Sequence, residues 1–152
     1  MYFVNRSEIE QTLAYLDILL NEMDRSHPPI SMVEKLSTER LTHVVIEIIL
    51  DVGNLMIDGF IMRDPGSYHD IIDILIDERV LPAKDEIAYK ELIDLRQTLV
   101  NEYLTINHHR IFEVFSKHLH AFKQFSSYIQ LYLSNELGVA NAFSNEGEEG
   151  LV

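Results

Sequence analysis

Leu41-Thr42-His43-Val44-Val45-Ile46-Glu47-Ile48-Ile49-Leu50-Asp51-Val52-Gly53-Asn54-Leu55-Met56 is the stretch on which the fold turns. Leu41, Val44, Val45, Ile48, Ile49, Val52, Leu55 and Met56 recur at the spacing of a helix, not of a strand. His43, Glu47 and Asp51 make a polar stripe on the other side, which Asn54 and Asp58 continue. So wide an apolar face predicts burial against more than one neighbour. The helix is expected from about Glu39 to Met62, with Ser37 or Thr38 as its cap and a loop before it.

Outward from this helix the chain reads as helices joined by breakers. Ile9, Leu13, Leu16, Leu20 and Met23 place an amphipathic helix from Ser7 to about Met23, and Ser26-His27-Pro28-Pro29 ends it. Arg63-Asp64-Pro65-Gly66 is a turn, and Ser67 caps a short helix carrying Ile71, Ile72, Leu75 and Ile76, closed by Leu81-Pro82. A fourth helix is predicted from Asp85 to Tyr103. A fifth, capped by Asn107, runs from His108 to about Leu133 on the seam Ile111, Phe115, His118, Phe122, Phe125, Ile129 and Tyr132. No internal repeat or hairpin chemistry is present. The fold class is therefore all-α, a five-helix, mostly antiparallel up-and-down bundle over residues 1–135. Residues 136–152, with Glu146-Gly147-Glu148-Glu149-Gly150, are expected to be an acidic, disordered tail, and the paired Glu148 and Glu149 are solvated charge.

A chain of 152 residues, 47% hydrophobic and 24% charged, can bury one core. It has no cysteine, which excludes disulfides, thiolate catalysis and thiolate zinc sites. Twelve basic against 25 acidic residues leave a net charge of −13. Such a surface repels nucleic acid and anionic membrane at long range, so RNA contact must be local and neither DNA nor membrane is expected as a partner. Apolar runs are broken by charges such as Glu47 and Asp51, and Met1 to Arg6 lacks the pattern of a secretory signal; a cytoplasmic location is expected.

No nucleophile elbow or Gly-rich phosphate loop occurs. His108 and His109 are neighbours about 100° apart on a helix and cannot chelate together. His43 and Glu47 have the i, i+4 spacing of a helical metal site, with Asp51 a turn on, but a solvated stripe is the expected reading. No metal and no cofactor are predicted.

The polar end of the fourth helix, Asp94-Leu95-Arg96-Gln97-Thr98-Leu99-Val100-Asn101-Glu102-Tyr103, is the one candidate site. Arg96 and Tyr103, seven residues apart, are expected on one helix face, with Asn101 about 140° round from Arg96. Arginine offers a bidentate fork for phosphate. Spacing alone leaves a second reading open, in which Arg96 pairs with Asp94 or Glu102 and Tyr103 fastens the helix end to the core.

Arg96-Gln97-Thr98-Leu99-Val100-Asn101-Glu102-Tyr103 resembles the Arg-x-x-x-x-His-x-Tyr signature of the HepT-like branch of the HEPN superfamily. Ile9 to Leu16 resembles the family's first helix, and Asp64 to Leu75 its segment between the second and third long helices. The resemblance covers most of residues 1–135 in the expected order. It implies a five-helix, HEPN-like domain that dimerises across the motif helix, acting as a metal-independent ribonuclease and as the toxin of a toxin–antitoxin pair. The usual antitoxin of such pairs is a minimal nucleotidyltransferase, which can transfer AMP to the motif tyrosine, here Tyr103. Arg96 takes the place of the family's arginine.

Asn101 stands where the family has its catalytic histidine. Histidine can exchange protons near neutrality, whereas an asparagine amide can only hydrogen-bond. Losing general acid–base work costs about 10²–10⁴-fold in rate. Cleavage is thus expected to be weakened or absent, with Arg96, Asn101 and Tyr103 as the site residues. His108 or His109, in a zone that also holds Arg110 and Lys117, could stand in for the missing imidazole, although solvated histidines are the expected reading. The competing functions are a non-catalytic homodimeric regulatory or phosphate-binding module and a helical scaffold with no ligand.

Overall fold

The computed structural model describes the backbone of residues 2–149 and the side chains of residues 2–138. Five α-helices follow in order: α1 (Arg6–Arg25), α2 (Met32–Gly59), α3 (Tyr68–Asp77), α4 (Glu86–Asn101) and α5 (His108–Glu149), with a 3-10 turn at Ala83–Asp85 before α4. Among the described residues there is no strand. None of these helices is long and apolar enough to cross a membrane.

Side-chain pairs fix the helix directions. Asp17 meets Ser126 and Asp24 meets Lys123, so α1 and α5 are antiparallel. Glu91 meets His118 and Asp85 meets Tyr128, which makes α4 and α5 antiparallel as well. His69 with Asp94 and Asp73 with Lys90 set α3 against α4 in the same sense. The start of α1 returns to the end of α2, where the Phe3 N–H donates to the Gly59 carbonyl at 3.0 Å.

α2 is the central element, packed on α1, α3, α4 and α5. Val45, Ile46, Ile49, Val52 and Met56 are fully buried there, as its wide apolar face predicts. Ile9, Leu13, Leu16 and Leu20 of α1 and Phe115, Phe122, Phe125 and Ile129 of α5 close over it. Tyr89 is also fully buried, and its hydroxyl donates to the Ala121 carbonyl at 2.8 Å, so its polar end is satisfied.

Three boundaries differ from the sequence reading. α2 begins at Met32, not Glu39: Ser31 accepts from the Glu34 N–H, and the Glu34 carboxylate accepts from the Ser31 N–H, a capping box two turns earlier. α4 ends at Asn101 with Glu102 as its C-cap, so Tyr103 lies beyond the helix and does not share the Arg96 face by helical register. The α5 backbone continues past residue 135 as one helix to Glu149. The side chains of Glu148 and Glu149, and residues 150–152 of the expected tail, lie outside the described residues.

Candidate functional site

Arg96 projects from α4 toward α2. Its Nε–H donates to Glu47 Oε1 at 2.7 Å, and its guanidinium carbon sits 4.8 Å from the centre of the Tyr68 ring at the start of α3. A cation over an aromatic face is attracted by the ring's negative quadrupole. The hydrogen bond that Arg96 donates to Glu47 pushes the guanidinium pKa above its ordinary value, against a smaller opposing effect of burial. Held at Nε and at one face, Arg96 keeps both Nη groups without a hydrogen-bond partner among the described residues. Such a fork is what an arginine presents to a phosphate or a carboxylate.

The arginine therefore pairs with neither Asp94 nor Glu102. Its partner belongs to the polar stripe of α2, so Glu47 is not simply solvated. His43, one turn earlier, lies 3.5 Å from the same Glu47 oxygen, too far for a good hydrogen bond. Asp51, one turn later, has its pKa raised, first by burial and then by the charges of Glu47 and Glu8.

Beside Arg96 opens a cavity of about 340 Å³, lined by Ser67, Tyr68 and His69 on the α3 side and by Asp94, Arg96 and Gln97 on α4. His69 Nε2 is 2.6 Å from Asp94 Oδ1. The start of α3 is fixed by three contacts. Ser67 Oγ caps the Asp70 N–H, the Gly66 N–H donates to Asp70 Oδ2, and Arg63 grips both Asp70 oxygens at 2.7 Å. The Arg63 hydrogen bonds lead in holding the Asp70 carboxyl down to about 2.

The other motif residues are placed differently. Asn101 Nδ2 donates to Gln97 Oε1 at 3.0 Å, which ties it to the cavity wall but not to Arg96. Tyr103 is 68% exposed in the turn after α4. His108 is taken up by Glu39 at 2.9 Å, Arg110 by Glu113 and Lys117 by Glu91, so the expected basic zone is largely neutralised. Among the described residues no three His, Asp and Glu side chains converge to hold a metal.

Sequence reading missed Glu47, Tyr68 and His69 as neighbours of Arg96. The i, i+4 pair His43 and Glu47 was the one local signal for Glu47. Tyr68 and His69 had none beyond their place in the segment after Pro65.

Residues 9–129 match the family described as ribonuclease HepT-like. The chain is 46% identical over 143 residues to YutE of Bacillus subtilis (strain 168), named as a candidate RNase, covering 94% of this chain and 99% of that one. The solved structure of YutE, described as a cytosolic protein of unknown function, superposes with a TM-score of 0.88 at 46% identity over 91% of this chain and 96% of that chain. With its all-helical fold and its Arg96 helix in place, the chain belongs to the HepT-like ribonuclease family of the HEPN superfamily.

Proposed function

We propose that this protein is a metal-independent endoribonuclease-type toxin of a toxin–antitoxin pair, with cleavage held down by Asn101. The observation that carries the reading is the held Arg96, which lines a cavity and keeps two Nη groups whose spacing suits the two oxygens of a phosphodiester. Its relative's name as a candidate RNase supports the same chemistry. Asn101 can bind a phosphate oxygen but not move a proton, so it weakens the activity without removing the site. The acidic surface, at net charge −13, adds long-range repulsion of RNA.

Tyr103 fits the role of modification site: it is 68% exposed, and AMP transfer to its hydroxyl would need no local unfolding. The transferring partner would be a minimal nucleotidyltransferase antitoxin. A homodimer across the end of α4 would cover Leu104, which is 89% exposed, beside Tyr103. A cytoplasmic location belongs to the same reading, supported by the description of YutE as a cytosolic protein.

The second reading, favoured by Asn101, is a non-catalytic homodimeric module that binds phosphate or nucleotide. Purified protein incubated with mixed RNA in EDTA decides between them. Cleavage that Arg96→Ala abolishes establishes the enzyme; RNA binding without cleavage, sensitive to Arg96→Ala, establishes the module. A monomer by light scattering at micromolar concentration overturns the dimer. Intact mass after treatment with a nucleotidyltransferase and ATP shows an AMP adduct that Tyr103→Phe lacks, if Tyr103 is the acceptor.

A further inference from the structure

The ribonuclease reading leaves a chemical gap, because Asn101 cannot take a proton and transesterification of RNA requires one to be moved. We propose that His69, held by Asp94 in the cavity it shares with Arg96, is the proton-transfer residue of this site. The inference rests on that reading and names the residue that makes it work.

Several imidazoles lie at this end of the bundle, and geometry separates them. His108 is half-buried against Glu39, and His43 stands off an oxygen of Glu47 that Arg96 already uses. Neither lines the cavity beside Arg96. His69 does, and it alone combines that position with a short carboxylate contact, 2.6 Å from Nε2 to Asp94 Oδ1. A carboxylate only accepts, so the neutral ring carries its hydrogen on Nε2 and keeps a lone pair on Nδ1. Asp94 then orients the ring and stabilises the imidazolium that proton uptake creates, as a carboxylate does for the base of a catalytic triad.

The charges around His69 favour this role. Asp94 and Arg96 face it from α4, while Asp70 and Asp73 on its own helix are already engaged by Arg63 and Lys90. A phosphodiester on the Arg96 fork would bring its ribose into the shared cavity. The 2′-oxygen then bonds to phosphorus and its proton passes to His69 Nδ1. The bond from phosphorus to the 5′-oxygen breaks, leaving a 2′,3′-cyclic phosphate. The leaving oxygen takes its proton from solvent water, and the hydroxide formed is neutralised when His69 returns its proton to solvent.

The test is single-turnover cleavage of a single-stranded RNA in EDTA across a pH series. It compares wild type, Arg96→Ala, His69→Asn and the double variant His69→Asn with Asn101→His. Expected is a loss of about 10²-fold or more in His69→Asn with RNA affinity little changed, and disappearance of the acid limb of the rate profile. The double variant recovers cleavage, because an imidazole at the motif position takes over the proton. If His69→Asn cleaves like wild type while Arg96→Ala is inactive, the assignment of His69 falls and the ribonuclease reading stands. A loss in His69→Asn that Asn101→His does not recover also overturns the assignment, since it marks a structural role. Wild type that cleaves nothing, or cleavage indifferent to Arg96→Ala, overturns both.

Discussion

Glu47 on α2 and Arg96 on α4 are joined by a 2.7 Å hydrogen bond across 49 residues of sequence. The bond orients the guanidinium, but it also places a negative charge beside the fork that would receive phosphate. Glu47→Gln separates these effects, since the amide oxygen still accepts from Nε while the charge is gone. Half-exposed pairs are screened, so the gain is modest, about 1 kcal/mol or roughly fivefold in RNA affinity at low salt. Glu47→Ala, which also removes the positioning, is expected to bind more weakly than Glu47→Gln. Fluorescence anisotropy with a short RNA measures both; equal affinity for wild type and Glu47→Gln would mean that the carboxylate does not face the bound phosphate.

The helices were legible because each carries a periodic apolar face, and α1 and α3 are flanked by Pro, Gly or a capping side chain. The start of α2 was not read from that pattern, because Met32, Val33 and Leu36 are exposed and out of step with the buried set. The local signal that did mark it was Ser31 with Glu34, a capping box. Arg96 could be picked out from its motif, but Glu47, Tyr68 and Asp94 with His69 meet only when three helices converge. Tyr103 was misplaced because no residue between Asn101 and Tyr103 signals a helix end in sequence.

Gly53 sets the distance between α2 and α3. A Cβ there would lie 2.5 Å from Ile71 Cγ2 and 3.5 Å from Leu75. Ile71 is β-branched, nearly fully buried and stiff in a helix, so α3 itself must shift. Overpacking costs about 1–3 kcal/mol, and the better helix propensity of Ala returns only about 1 kcal/mol. Gly53→Ala is expected to lower Tm by a few degrees and, because α3 carries Tyr68 and His69, to lower any activity at Arg96 further than its loss of stability explains. Calorimetry beside the cleavage assay checks this, and an unchanged Tm would show that α3 yields freely.

Asp70 gives the start of α3 a dependence on acid. Its carboxyl is held at about 2 against an ordinary 3.8, first by the Arg63 hydrogen bonds and then by the Gly66 N–H. The unfolded chain therefore takes up the proton first as pH falls. The stabilisation is complete above about pH 4 and is lost progressively as pH drops from 3.8 toward 2. Because the pair is at the surface, the effect is small. Asp70→Asn should melt below wild type by a constant margin near neutrality, a margin that narrows below about pH 4. Urea midpoints of both proteins across that range test it; a margin independent of pH would mean that the carboxylate charge contributes nothing.

The turn that follows α2 contains a left-handed residue that is not glycine. Ile61 has φ 56°, and its N–H and that of Met62 bond back to the Asp58 and Ile57 carbonyls, the arrangement in which a helix terminus favours glycine. For a β-branched residue this conformation is strained by about 1–2 kcal/mol, and Ile61 is 68% exposed, so it recovers little through burial. Glycine relieves the strain but adds freedom to the unfolded chain, which offsets about 0.4–1 kcal/mol. Ile61→Gly is thus expected to raise stability by roughly 0.5–1 kcal/mol and Tm by about 1–4 °C. Ile61→Ala keeps the Cβ that causes the strain and should gain less. If Ile61→Gly instead melts below wild type, the exposed isoleucine is being covered by something the isolated chain does not contain, and a concentration-dependent Tm in wild type would identify a second copy as that cover.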